Sequence, residues 1–139
     1  MPTAAHVFST APATALPCAT DARLDLLRRE AARLRVAPHL ELGHACSQLT
    51  LDPERAPLVF ARALLRTLGQ ALGQRPVFLR EGSVCSSFDE DWLMRVIDRM
   101  EAQDFDSVAF LIGRRVPLAY RRSLVFLLHG LIARPDRPL

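Results

Sequence analysis

Between Leu58 and Leu72 five apolar residues, Leu58, Ala61, Leu65, Leu68 and Leu72, recur at steps of three, four, three and four positions. That spacing lines one side of a 3.6-residue helix and does not fit the two-residue period of a strand. A helix with such a stripe has to bury it against other helices. Asp52-Pro53 supplies a start signal, Pro57 places the regular helix from there onward, and Gly73 suits its C-terminal cap.

The same reading extends along the chain. Leu24, Leu27, Ala31 and Leu34 give one apolar face to a helix over about Asp21 to Arg35, with Thr20 as N-cap and Asp21 in the dipole-favoured first turn. On its polar side Asp25 and Arg29 are one turn apart and suited to pair. A third helix begins at a capping box, Ser87 with Glu90, and carries Trp92, Leu93, Val96, Ile97 and Met100 as its buried stripe. A short fourth helix is expected over Ser107 to Ile112, capped by Asp106 and stopped by Gly113. A fifth takes Pro117 in its first turn and runs to about Ala133. Its Leu124-Val125-Phe126-Leu127-Leu128 run is apolar all round, as in a central helix or a subunit interface. Residues 39–51 read as an irregular connection with about a turn of helix, and Gln74 to Cys85 as a loop pinned by Phe78.

The expected fold is therefore all-α, about five helices in a compact orthogonal bundle. The domain spans residues 20–134, between a flexible Ala/Pro/Thr-rich tail at 1–19 and a Pro-marked tail at 135–139. A chain of 139 residues holds one such domain with a core of its own.

Charge is distributed in blocks. All 18 basic residues are Arg, and Lys and Asn are absent. A GC-rich coding bias accounts for both, so the Arg excess by itself says little about nucleic acid. Residues 21–80 carry ten Arg against six acids, residues 87–106 seven acids against Arg95 and Arg99, and residues 107–139 six Arg against Asp136. Either these blocks neutralise one another or they leave a basic face for an anionic partner.

The segment that most invites a partner is Arg114-Arg115-Val116-Pro117-Leu118-Ala119-Tyr120-Arg121-Arg122. Two Arg pairs flank a helix start, where free N–H groups already favour an anion. Guanidinium forks suit phosphate or carboxylate, and Tyr120 offers a ring for stacking. The competing reading pairs these arginines with Asp98, Glu101, Asp104 and Asp106 nearby in sequence. A helix-turn-helix fits poorly, because the fifth helix is too apolar to face a major groove.

Other constellations are weaker. His39, His44 and Cys46 lie close together and Cys85 is a conceivable fourth zinc ligand, but the spacing lacks the two close pairs of a structural site. His129 reads as a core histidine, with haem ligation as the alternative. Asp89-Glu90-Asp91 point in different directions on a helix, and the dipole explains their place in the first turn. Cys18, Cys46 and Cys85 form no CxxC pair and fit a reducing cytoplasm. No basic leader precedes an apolar run. No phosphate loop, nucleophile elbow or HExxH is present.

The expectation is a non-enzymatic, cytoplasmic interaction protein without a cofactor, acting as a regulator or adaptor by docking to another protein or to itself. The alternative is nucleic-acid binding through Arg114, Arg115, Arg121 and Arg122, which would give a salt slope of roughly −3.6.

Overall fold

The computed structural model describes residues 21–36 and 56–133. They form five helices and no strand: α1 (Ala22–Val36), α2 (Ala56–Leu72), α3 (Phe88–Glu101), α4 (Phe105–Arg115) and α5 (Leu118–Ile132). The expected tails, the 39–51 connection, Thr20, His39, His44 and Cys46 lie outside the described residues.

The seam on α2 organises the packing. Ala61, Leu65 and Leu68 are buried, and so are Val59, Leu64 and Ala71 beside them. α5 lies against α2 as the most extensive helix pair, and α1 packs on α2 as well. α4 packs on α3, and both touch α5. The α2–α5 crossing is close: a Cβ built on Gly130 would stand 2.2 Å from a carbon of the Phe60 ring. From α3, Trp92, Leu93, Val96, Ile97 and Met100 all enter the core, as their spacing predicts. None of the described helices is long and apolar enough to cross a membrane.

Helix ends depart from the sequence expectation. Asp21 stands at the cap of α1: its carboxylate accepts from the Arg23 N–H at 2.9 Å and its carbonyl from Asp25 N–H at 3.1 Å. The fourth helix is longer than expected at both ends. Asp104 caps it, accepting from the Ser107 N–H at 3.2 Å and the Ser107 hydroxyl at 2.6 Å, which leaves Asp106 inside the first turn. Gly113 does not stop it, because the helix continues to Arg115. Pro117 is the cap residue of α5 and not part of its first turn, with its carbonyl accepting from Tyr120 N–H at 3.0 Å.

α3 gives way to α4 through a tight reversal. Asp104 N–H returns to Arg99 O at 2.9 Å and Gln103 N–H to Met100 O at 3.0 Å, the paired bonds of a Schellman ending. Gln103 takes φ of 58°, the left-handed position that glycine usually fills.

α5 is less central than its composition implied. Leu124, Leu128 and Leu131 are buried, whereas Phe126 is 66% exposed. His129 is exposed as well, not a core residue, and lies with its ring centroid 6.2 Å from that of Phe105. It follows Leu128 by one step of about 100°, which carries it off the buried stripe.

Candidate functional site

The Arg114–Arg122 segment spans the end of α4 and the start of α5, and its arginines divide between two duties. Arg115 turns inward. It donates to Asp89 at 2.6 Å, and its guanidinium carbon stands 4.9 Å from the ring centroids of both Phe88 and Trp92. Such stacking adds to the ion pair and holds the planar group in one orientation. Arg121 folds back over the end of α4, donating to Val116 O at 2.8 Å and Gly113 O at 3.2 Å. It serves carbonyls that a helix end leaves without intrahelical donors. Arg114 stays exposed, 5.8 Å over the Phe110 ring, and Arg122 is exposed too. Tyr120 is half-buried against the core.

Two of the acids expected to neutralise this segment, Glu101 and Asp104, are engaged elsewhere. Glu101 meets Arg23 from α1, and Asp104 is held by Ser107 with Arg99 at 3.9 Å. Those Ser107 hydrogen bonds keep the Asp104 carboxyl below its ordinary range. The acid that does reach the segment is Asp89, on the first turn of α3.

That first turn does more than meet the helix dipole. Ser87 and Glu90 form the expected capping box. Glu90 is also fully buried and binds Arg28 of α1, with Arg28 Nε at 2.8 Å and Nη2 at 3.1 Å. Leu79 and Ser87 N–H groups donate to the same carboxylate, each at 2.8 Å. Burial pushes the Glu90 carboxyl upward, but Arg28 and the two backbone donors outweigh it and hold it below the ordinary range. Arg28 completes its own set on Ser83 O at 2.9 Å and Cys85 O at 2.8 Å. Asp89 secures the loop from the other side by accepting Val77 N–H at 2.7 Å. The expected pinning of this loop by Phe78, 5% exposed, is thus reinforced by two carboxylates.

A second basic region forms where α1, α2 and residues 80–81 meet. A cleft of about 640 Å³ there is lined by Arg28, Arg29, Arg33, Arg35, Arg62 and Arg80, with Glu81 as the one acid among the described residues of its wall. Arg29 pairs with Glu81 at 2.5 Å, not with Asp25 on its own helix as expected, and this contact holds the exposed Glu81 carboxyl below its ordinary range. Glu30, fully buried, accepts from Arg33 at 3.1 Å and from Arg62 at 2.5 Å. The signal for this cleft was the ten-Arg block at residues 21–80, which did not reveal which arginines would converge.

Among the described residues no group of three or more His, Cys, Asp and Glu is arranged to hold a metal ion, and Cys85 is exposed.

Two arginine-rich features thus stand out: the Arg114–Arg122 segment, where exposed rings and guanidiniums mix, and the cleft where α1, α2 and residues 80–81 meet. Compared with family models, with curated proteins and with solved structures, the chain matches none.

Proposed function

We propose that this protein acts by docking and not by catalysis, and that its docking surface pairs with a second copy of itself. The observation that carries this reading is the exposure of Phe88 at 74%, Phe110 at 64% and Leu118 at 79% around the Arg114-Arg115 step. Phe88 touches Arg115, Phe110 touches Arg114, and Leu118 opens the next helix three residues on. Large apolar side chains grouped on a surface mark contact sites. A surface that alternates rings with guanidiniums is complementary to its own copy, since Arg114 of one can cover a ring of the other.

Burying these three side chains on each of two copies contributes roughly 9–18 kcal/mol, against an association cost of about 4–15 kcal/mol. The expected dimer is therefore weak, with a Kd in roughly the micromolar to millimolar range. Light scattering on a sizing column tests it. The mass should rise from 15.5 kDa toward twice that as concentration increases. The variant Phe88→Ser with Leu118→Ser should stay monomeric with an unchanged helical circular dichroism spectrum. A parent that is monomeric throughout that range, or a variant that associates like the parent, overturns the reading.

Nucleic-acid binding by the same segment rests on Arg114 and Arg122, because Arg115 and Arg121 are engaged within the fold. With two phosphate contacts the salt slope falls to about −1.8.

A further inference from the structure

The arginine cleft is better prepared for a ligand than its surface position suggests. Glu30 is fully buried and spans the two helices, tying Arg33 of α1 to Arg62 of α2. One carboxylate fixes two guanidiniums and neutralises only one of them. Arg28 is locked by Glu90, with Asp25 at 4.0 Å, and Arg29 by Glu81. The six arginines of the wall therefore touch four carboxylates, Asp25, Glu30, Glu81 and Glu90. Arg35 and Arg80 have no carboxylate partner among the described residues, so within that set two positive charges remain uncompensated.

Three features narrow the ligand. The volume, about 640 Å³, lies within the small-molecule range. Among the described residues no aromatic ring lines the cleft, so they offer no stacking platform of the kind a single-stranded nucleic acid uses. Guanidinium forks match the oxygen spacing of phosphate, and groups already held by Glu30 and Glu81 lose less freedom on binding.

We infer that the cleft between α1, α2 and residues 80–81 binds a small phosphate-bearing anion with at least two negative charges. Arg35 and Arg80 supply the uncompensated charge, and Arg33 and Arg62 stand in fixed positions beside them. The phosphate comes either free, as in pyrophosphate, or as the ester of a small organic molecule. Both present the same oxygens to the wall.

Calorimetric titration of the full chain at fixed ionic strength tests this, with sodium pyrophosphate, a sugar bisphosphate and citrate in separate arms. Saturable binding of pyrophosphate or the bisphosphate, tighter than citrate, is expected. Whichever of the two phosphates binds more tightly identifies the source. Arg35→Gln with Arg80→Gln should weaken it about a hundredfold, since each lost charged hydrogen bond is worth roughly tenfold. Both side chains are exposed and make no ion pair among the described residues, so this variant should melt where the parent does. No saturable heat from either phosphate, or unchanged affinity in a folded variant, overturns the inference. So does a short single-stranded oligonucleotide that binds more tightly than both. Phe88→Ser with Leu118→Ser leaves this binding intact, so failure of the docking surface and failure of the cleft are read separately.

Discussion

Arg28 and Glu90, 62 residues apart in sequence, meet as an ion pair whose side chains are 1% and 0% exposed. Their mutual attraction is half of the arrangement. The other half is backbone: Glu90 accepts from Leu79 and Ser87, and Arg28 donates to Ser83 and Cys85. A buried pair standing alone is often replaceable by apolar residues at little loss. Here the backbone groups would be left without partners.

Glu90→Ala should therefore cost about 3–5 kcal/mol, a large share of a small domain's stability. Arg28→Met should cost about as much. The double variant Arg28→Met with Glu90→Leu should lose less than the sum of the single losses, yet remain roughly 3 kcal/mol or more below the parent. Urea unfolding of the four proteins measures this. A double variant as stable as the parent would mean that the backbone bonds contribute little.

Acid should weaken the fold through the same carboxylate. The Glu90, Glu81 and Asp104 carboxyls all lie below their ordinary ranges in the folded chain. A group depressed on folding stabilises above its unfolded pKa and loses that contribution as pH falls through the folded value. Stability should be level near neutrality and decline from about pH 5 downward. Glu90→Gln removes one titrating group, so its deficit relative to the parent should narrow as the solution is acidified. Urea midpoints at a series of pH values provide the comparison, and a deficit that stays constant would remove Glu90 from the acid response.

Gly130→Ala sets two effects against each other. Alanine gains about 1 kcal/mol over glycine inside a helix. Its methyl would overlap the Phe60 ring, with overpacking losses of about 1–3 kcal/mol. The steric term wins, so the thermal midpoint should fall. In a Phe60→Ala background the obstruction is gone and the same substitution should raise it. Equal effects in both backgrounds would show that the ring swings aside freely.

Gln103→Gly should stabilise. The left-handed φ of 58° costs a side chain about 1–2 kcal/mol that glycine does not incur. Glycine's freer unfolded chain cancels part of this, leaving a gain of about 0.5–1 kcal/mol. Differential scanning calorimetry resolves such a change, and a lower midpoint would point to a side-chain role for Gln103.

What the sequence made legible follows from range. Leu58 to Leu72 and Trp92 to Met100 announce buried faces because their periodicity is local, and the Ser87–Glu90 box is local too. The start of the helix between Asp104 and Arg115 is ambiguous in sequence because Asp104 and Asp106 are equally good caps. The choice rests on the Ser107 hydroxyl turning to Asp104. Arg115 looked available because Asp89, its partner, is 26 residues away. The arginine cleft is not legible in sequence for a similar reason. Its wall draws on α1, α2 and the loop at 80, and only folding brings them together.

Glu90 starts α3 and also receives Arg28 from α1, so the two events cannot be separated in time or in energy. Were α3 to fray at its first turn, Arg28 would be stranded in a dry interior. Were α1 to lift away, the helix start would face an unshielded carboxylate. Local opening on either side therefore carries the penalty of both, and this part of the chain gains and loses its order as one cooperative unit.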